Sequence, residues 1–284
     1  MSKKLTVGMC VYDDYDGVYF TIQSIRMYHS DVLNDIEFIV IDNNPSSASG
    51  QTTKKFVSDL PNGQYVEFTE YSSTSVRNKI FELAKTPYVL CIDCHILLSP
   101  GSIKRLIQYF ETTDNGDLLH GPLLYDNLKS VSTGFNNEWG SYMHGRWDFD
   151  KRYTDSDSEP FDIFAQGMGL FACRKDSWLG FNSNFRGFGG EEIYIHNKYR
   201  KHGKRVILLP FLQWVHRFDR PNGVPYTNTY EDRYRNYLIG RIELQMDSDD
   251  VEDTFSEIIS EHRREEIKSE IVKLFSNSKC RCKS

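Results

Sequence analysis

The chain has 284 residues, a formal net charge of −6, 39% hydrophobic and 26% charged residues, a composition that builds a sizeable core and excludes a disordered chain. The acidic balance excludes a general nucleic-acid binder, whose phosphate affinity needs a surplus of Lys and Arg. No apolar run approaches the 18 residues of a membrane span.

From the N-terminus, short apolar runs alternate with amphipathic stretches. Strands are predicted at 5–12, 36–42, 65–69 and 88–93, each followed by a helix, at 18–28, 51–60, 75–84 and 101–110. Glu37-Phe38-Ile39-Val40-Ile41 and Tyr88-Val89-Leu90-Cys91-Ile92 are almost continuously apolar, as parallel strands covered on both faces are. The pattern predicts an α/β fold with a doubly wound, mostly parallel central sheet. The first 14 residues, MSKKLTVGMCVYDD, pass straight into a strand with no apolar leader, so a cytoplasmic protein is expected.

Ligands of open α/β sheets bind beyond the carboxyl ends of the strands. Acids stand there after Tyr12, as Asp13, and at Asp42 and Asp93. Neither GxGxxG nor GxxxxGK[ST] occurs, so phosphate must be held by something other than those loops. Residues 126–160 mix Asn, Ser, Asp and Gly with aromatic residues and read as a long excursion rather than regular structure; Trp139, Trp147, His144 and Arg146 there form either an acceptor wall or a hydrophobic cluster under a loop. A strand at 168–173, Gly187-Phe188-Gly189-Gly190, a helix at 191–202, a strand at 205–210 and a loop carrying His216 follow. At the end, Val251, Phe255, Ile258, Ile259, Ile267, Ile271 and Leu274 make one helical apolar stripe, expected to pack on the body. This divides the chain into a body at 1–228 and a helical extension at 229–284.

Cys10, Cys91, Cys94 and Cys173 lie in strand-like runs and are expected as buried thiols; the odd spacing of Cys91 and Cys94 sends them to opposite faces of a strand. Cys280 and Cys282 fall in a polar tail. If the strand ending at Asp93 continues for two residues, Asp93 and His95 project from one side and reach one ion, and such a mixed oxygen and nitrogen pair suits Mn²⁺ better than Mg²⁺. By itself the pair reads more readily as a turn aspartate and a surface histidine.

The run Val89-Leu90-Cys91-Ile92-Asp93-Cys94-His95 resembles the metal-binding strand of GT-A glycosyltransferases, particularly family 2 and the polypeptide N-acetylgalactosaminyltransferases. Val7–Tyr12 (residues 7–12) is similar to their first strand, residues 38–44 to their second, and Ser75-Val76-Arg77-Asn78 to the helix before the metal strand. Residues 165–171 with Phe188-Gly189-Gly190-Glu191-Glu192 resemble the acceptor-side strand and its acidic motif, and Trp214-Val215-His216-Arg217 the region supplying a third metal ligand. The likeness runs in order from residue 5 to about 220.

The resemblance implies a GT-A domain that moves a sugar from a UDP-sugar to a hydroxyl on a glycan, a protein or a modified nucleobase. Asp93, His95 and His216 would hold Mn²⁺ or Mg²⁺. Tyr12 would stack on the base and Asp42 accept its imino proton, while Arg77 pairs with Asp42, with the nucleotide or in a surface ion pair; Arg217 is a second cation for the phosphates. Family 2 assigns the acceptor base to Glu192, and a retaining enzyme would set Glu191 against the donor sugar. Glu192 stands where Asn or Asp is usual, and Phe188 where Trp is common.

Three rivals remain at this level. The basic stretch at 198–205, with Tyr199 in it, fits a transferase acting on a modified base in DNA, although in so acidic a chain it reads more readily as a solvated helix face. A degenerate binding module would not need Asp93, His95, Glu191 and His216 together. A nucleotidyltransferase usually carries a basic Gly-rich first loop, where this chain has Asp13-Asp14-Tyr15-Asp16-Gly17.

Overall fold

Strands β1 (Leu5–Val11), β2 (Ile36–Asp42), β3 (Gly63–Glu67) and β4 (Tyr88–Asp93) pair in parallel in the order β3-β2-β1-β4. They lie in a computed structural model that describes residues 2–219 and 223–281; Cys282, and the side chain of Cys280, fall outside the described part. The two near-continuous apolar runs are buried on both faces. Phe38, Val40, Leu90 and Ile92 enter one core cluster, while Ile39, Ile41, Val89 and Cys91 enter the cluster on the opposite face.

The helices divide between those faces. The first cluster takes Val18, Ile22 and Ile25 of α1 (Tyr15–Tyr28), Val57 of α2 (Ala48–Ser58) and Leu106 and Phe110 of α4 (Ser102–Thr112). The second takes Ile80 and Phe81 of the short α3 (Asn78–Leu83), which is entered through a 3₁₀ turn at Thr74–Arg77, so the expected helix at 75–84 is two pieces.

Beyond β4 the chain forms β5 (Ile96–Leu98), β6 (Leu118–His120), β7 (Leu123–Leu124), β8 (Val131–Ser132), β9 (Gly134–Gly140), β10 (Met143–Asp148), β11 (Phe161–Asp162), β12 (Leu170–Arg174), α5 (Glu191–Lys201), β13 (Val206–Leu208) and β14 (Trp214–His216). Strand β12 runs antiparallel beside β4, and β6, β13 and β11 complete the eight-stranded sheet. A second sheet, ordered β5-β14-β7-β8, lies apart from the first.

The stretch at 126–160 is more regular than its composition predicts. Strands β9 and β10 form an antiparallel hairpin whose turn places Ser141 and Tyr142 at positive φ, +50° and +60°. Such a turn normally advertises itself with Asn-Gly or Gly, and neither is present. Trp139 and His144 stack at 4.8 Å and pack against Tyr237 and Phe255, while Trp147 lies against Phe135. Trp139 is partly buried against the second core cluster and Trp147 against the first; Arg146 is exposed near Glu138.

After α6 (Tyr230–Glu243), the C-terminal stripe is split between α7 (Asp249–Ser256), the turn that follows it, and α8 (Glu261–Arg281). Val251, Phe255, Ile259, Ile267 and Ile271 join the second core cluster with Tyr234 and Ile239. Ile258 does not, being 37% exposed, because the chain turns between α7 and α8 and breaks the helical phase. Among the described residues no helix is long and apolar enough to cross a membrane.

Candidate active site

Strand β4 stops at Asp93. Cys94 and His95 then form a turn into β5, so these two candidate ligands are brought together by a turn and not by a continued strand. Strand β5 pairs antiparallel with β14, with Ile96 opposite His216, and the backbone N–H of Arg217 donates to the carbonyl of His95 at 3.2 Å. That register delivers His216, 121 residues away in sequence, to His95: their Nε2 atoms are 3.2 Å apart. His216 Nε2 is also 3.3 Å from Asp93 Oδ2.

Arg77, expected against Asp42, against the nucleotide or in a surface ion pair, donates to Asp93 Oδ1 at 2.7 Å and to Thr74 Oγ1 at 2.8 Å, and not to Asp42. Its side chain is only 13% exposed, so this is not a surface ion pair. Burial pushes the Asp93 carboxyl up, but Arg77, then His216 and His95, more than offset it and hold it well below the usual carboxylate range. Asp93 therefore presents an ionised Oδ2 toward His216 while Oδ1 is tied back.

Asp14, which the sequence did not single out, joins the group. Its carboxylate accepts from His95 Nδ1 at 2.8 Å and from Arg217 Nη2 at 2.7 and 2.8 Å. Its Oδ1 also caps α1 through the N–H of Gly17 at 3.1 Å. Burial again works against the charge, and the bonds from His95 and Arg217 hold its pKa well below the usual range. Among the described residues two sets can gather ligand atoms within 4.8 Å: Asp93, His95 and His216, and Asp14, Cys94 and His95. In the second, Asp14 is already committed to Arg217, and in the first Asp93 keeps Oδ2 available.

A cavity of about 480 Å³ opens beside these residues at the carboxyl ends of β1 and β4, lined among others by Tyr12, Asn43, Arg77, Asp93, His95, Phe188 and Tyr226. Tyr12 meets Tyr226 edge to face at 6.0 Å. Asp42 is buried beneath, 1% exposed, and its oxygens accept from the Tyr65 hydroxyl and the Asn44 N–H, each at 2.8 Å. It is Asn43, the next residue, that lines the cavity. Arg217 stays half exposed beside Asp14.

Glu191 and Glu192 open α5 and are fully or nearly buried, 0% and 4% exposed. Gly189 and Gly190 lead into the helix at φ of +104° and +91°, a course that residues with a Cβ rarely take. Glu191 Oε2 accepts the N–H of Gly189 at 2.7 Å, so it does cap the turn, but Glu191 Oε1 and Glu192 Oε2 are buried without a hydrogen-bond partner. Burial raises both carboxyls. Glu192, facing the charge of Glu191 as well, is pushed up to about 8.

The basic stretch at 198–205 is largely exposed, with only Tyr199 buried, but most of its cations are bound by groups of the same chain. Lys198 binds the Gly180 carbonyl, the Tyr194 hydroxyl and Glu243, Arg200 the carbonyls of Ile163 and Phe164, Lys201 the Leu244 carbonyl, Lys204 the Ser177 carbonyl and Arg205 the Asp162 carboxylate. These cations tie α5 to its neighbours, which is the use that an acidic chain with one basic run most readily finds for them.

The fold is that of GT-A glycosyltransferases. A solved structure of GalNAc-T7 with UDP, GalNAc and Mn²⁺ superposes with a TM-score of 0.66 at 15% identity, covering 90% of this chain and 54% of that one. Residues 1–349 of S. aureus TarS give 0.55 at 15% identity over 88% of this chain and 69% of that one. The mannosyltransferase PcManGT from Pyrobaculum calidifontis, in complex with GDP-Man and Mn²⁺, gives 0.55 at 13% identity over 86% and 63%. The chain thus spans about half the length of the GalNAc-T7 structure. No curated protein sequence matches it. The model of the family described as glycosyl transferase family 2 matches residues 6–177, more than half of the chain, and the protein belongs to that family.

Proposed function

We propose that the protein is a metal-dependent hexosyl- or N-acetylhexosaminyltransferase that moves a sugar from a UDP-sugar to an acceptor hydroxyl on a glycan or protein. The observation that carries this reading is the convergence of Asp93 Oδ2, His95 Nε2 and His216 Nε2 at the edge of the cavity. Two imidazole nitrogens and one ionised carboxylate oxygen within 3.3 Å of a common member form a donor set that fits Mn²⁺, and Mg²⁺ less well. Such an ion, when bound, supplies charge neutralisation to a departing diphosphate.

The chain's own residues divide the remaining work. Arg77 fixes one oxygen of Asp93 so that the other faces the two histidines. Tyr12 offers a ring to the base, and Asn43, which lines the cavity where the buried Asp42 does not, stands beside it. Arg217 carries N–H groups beyond those engaged by Asp14 and is available to phosphate oxygens. Glu192, with its raised pKa, is the acceptor of the hydroxyl proton in an inverting reaction; in a retaining one Glu191 would contact the donor sugar. The relatives bound to UDP or GDP-mannose with Mn²⁺ support the donor class without assigning the sugar.

The test is a panel of UDP-sugars scored by UDP release, with Mn²⁺ or with chelator, with and without glycan and peptide acceptors. Release with at least one donor, dependent on Mn²⁺ and stimulated by an acceptor, is the expected result. Release from no donor, or equal release in chelator, would remove the metal-dependent reading.

A further inference from the structure

We infer that Asp14 is a positioning residue for the ion site, fixing the tautomer and ring orientation of His95 and aligning Arg217 with it. The inference rests on the reading of Asp93, His95 and His216 as an ion site and adds a residue outside that set.

Both oxygens of the Asp14 carboxylate take Arg217 Nη2, at 2.7 and 2.8 Å, so toward His95 the group accepts and does not donate. His95 Nδ1, 2.8 Å from Asp14 Oδ2, therefore carries the ring proton, and Nε2 is left with its lone pair directed at His216 Nε2, 3.2 Å away, on the side of Asp93. A ring released from Asp14 would populate the other tautomer, whose Nε2–H cannot ligate. Histidine ligands generally depend on such an outer carboxylate or carbonyl.

The aspartate is itself anchored. It is 8% exposed and caps α1, and the next turn of that helix grips the loop bearing His95: Thr21 Oγ1 donates to the carbonyls of Cys94 and Ile96 at 3.1 and 2.9 Å. Gly17 leaves no room between them, since a Cβ there would come within 2.7 Å of the Cys94 carbonyl. The same Asp14 carboxylate takes Arg217, whose backbone N–H binds the His95 carbonyl. Three segments distant in sequence are thus locked by one carboxylate, and the lock sets a candidate ligand and a candidate phosphate cation in fixed relation.

Asp14→Asn separates this role from helix capping, because Asn caps about as well as Asp but offers one oxygen where His95, Arg217 and Gly17 need two. Mn²⁺ affinity in the presence of UDP would be measured by electron paramagnetic resonance of the free ion, alongside thermal unfolding in chelator and nitrogen-15 histidine spectra. The expected result is about a 10- to 100-fold weaker Mn²⁺ affinity, a folded protein in chelator, and loss of the Nδ1–H preference at His95. Wild-type protein that takes up no Mn²⁺ would remove the ion site, and this inference with it. Wild-type uptake together with unaltered affinity and tautomer in Asp14→Asn would remove the role of Asp14 alone; so would an affinity loss matched by unfolding in chelator, which Asp14→Glu, retaining both oxygens, would then fail to reverse.

Discussion

Replacing Glu192 with Gln should make the protein more stable at alkaline pH while impairing acceptor chemistry. Burial and the neighbouring Glu191 raise the Glu192 carboxyl from 4.5 to about 8. The folded state therefore binds this proton more tightly than the unfolded chain, and stability falls as pH rises between those two values, at about 1.4 kcal/mol per pH unit. The full effect approaches, as an upper bound, about 5 kcal/mol above pH 8. Because the two carboxyls titrate as a pair, the slope belongs to their upper step. Urea unfolding from pH 5 to 9 should show the wild type losing stability through this window and Glu192→Gln losing much less. If Glu192 is the acceptor base, wild-type kcat/KM should climb through the same window as the carboxyl ionises, and the variant should be slowed by about 10²–10⁴. Parallel unfolding profiles for the two proteins would refute the burial argument, and an unimpaired variant would refute the catalytic assignment.

Arg77→Met should destabilise the protein by about 3 kcal/mol, because it strands Asp93 without its cation; thermal unfolding in chelator measures this, and added Mn²⁺ should recover part of the loss. Tyr12→Leu should raise the Kd for UDP about tenfold by calorimetry, given a ring-to-base stacking worth about 1–3 kcal/mol. Gly169→Ala should weaken Mn²⁺ binding several-fold, since its Cβ would stand 2.9 Å from the Trp214 ring and 3.1 Å from Asp93 Oδ2. Unchanged Mn²⁺ titration of that variant would mean that the ligand adapts without cost.

Strands β2 and β4 lie where the sequence predicts them, to the residue, because runs buried on both faces carry their own signal. The hairpin at β9 and β10 was not legible: Gly134–Gly140 is polar and half exposed, and its turn uses Ser141 and Tyr142 in place of the usual glycine. Site residues fared by the range of their contacts. Asp93 and His95 are two apart and could be paired on sight, although a turn and not a strand joins them. The partnership of His216 with them depends on the pairing of β5 with β14, for which the family resemblance and no local pattern gave the clue. Asp14 was hidden because its partners lie 81 and 203 residues away, within a loop that reads as merely acidic. The basic run at 198–205 is largely exposed, as a solvated helix face would be, but its charge in sequence does not reveal which carbonyl groups of neighbouring elements its cations bind.

The central claim is tested most directly by titrating UDP into the protein in Mn²⁺ and in chelator, with His216→Ala as the comparison. The account predicts tight binding only with Mn²⁺, and an affinity sharply weakened by the substitution. Equal binding in chelator, or a variant that binds as the wild type does, would contradict it.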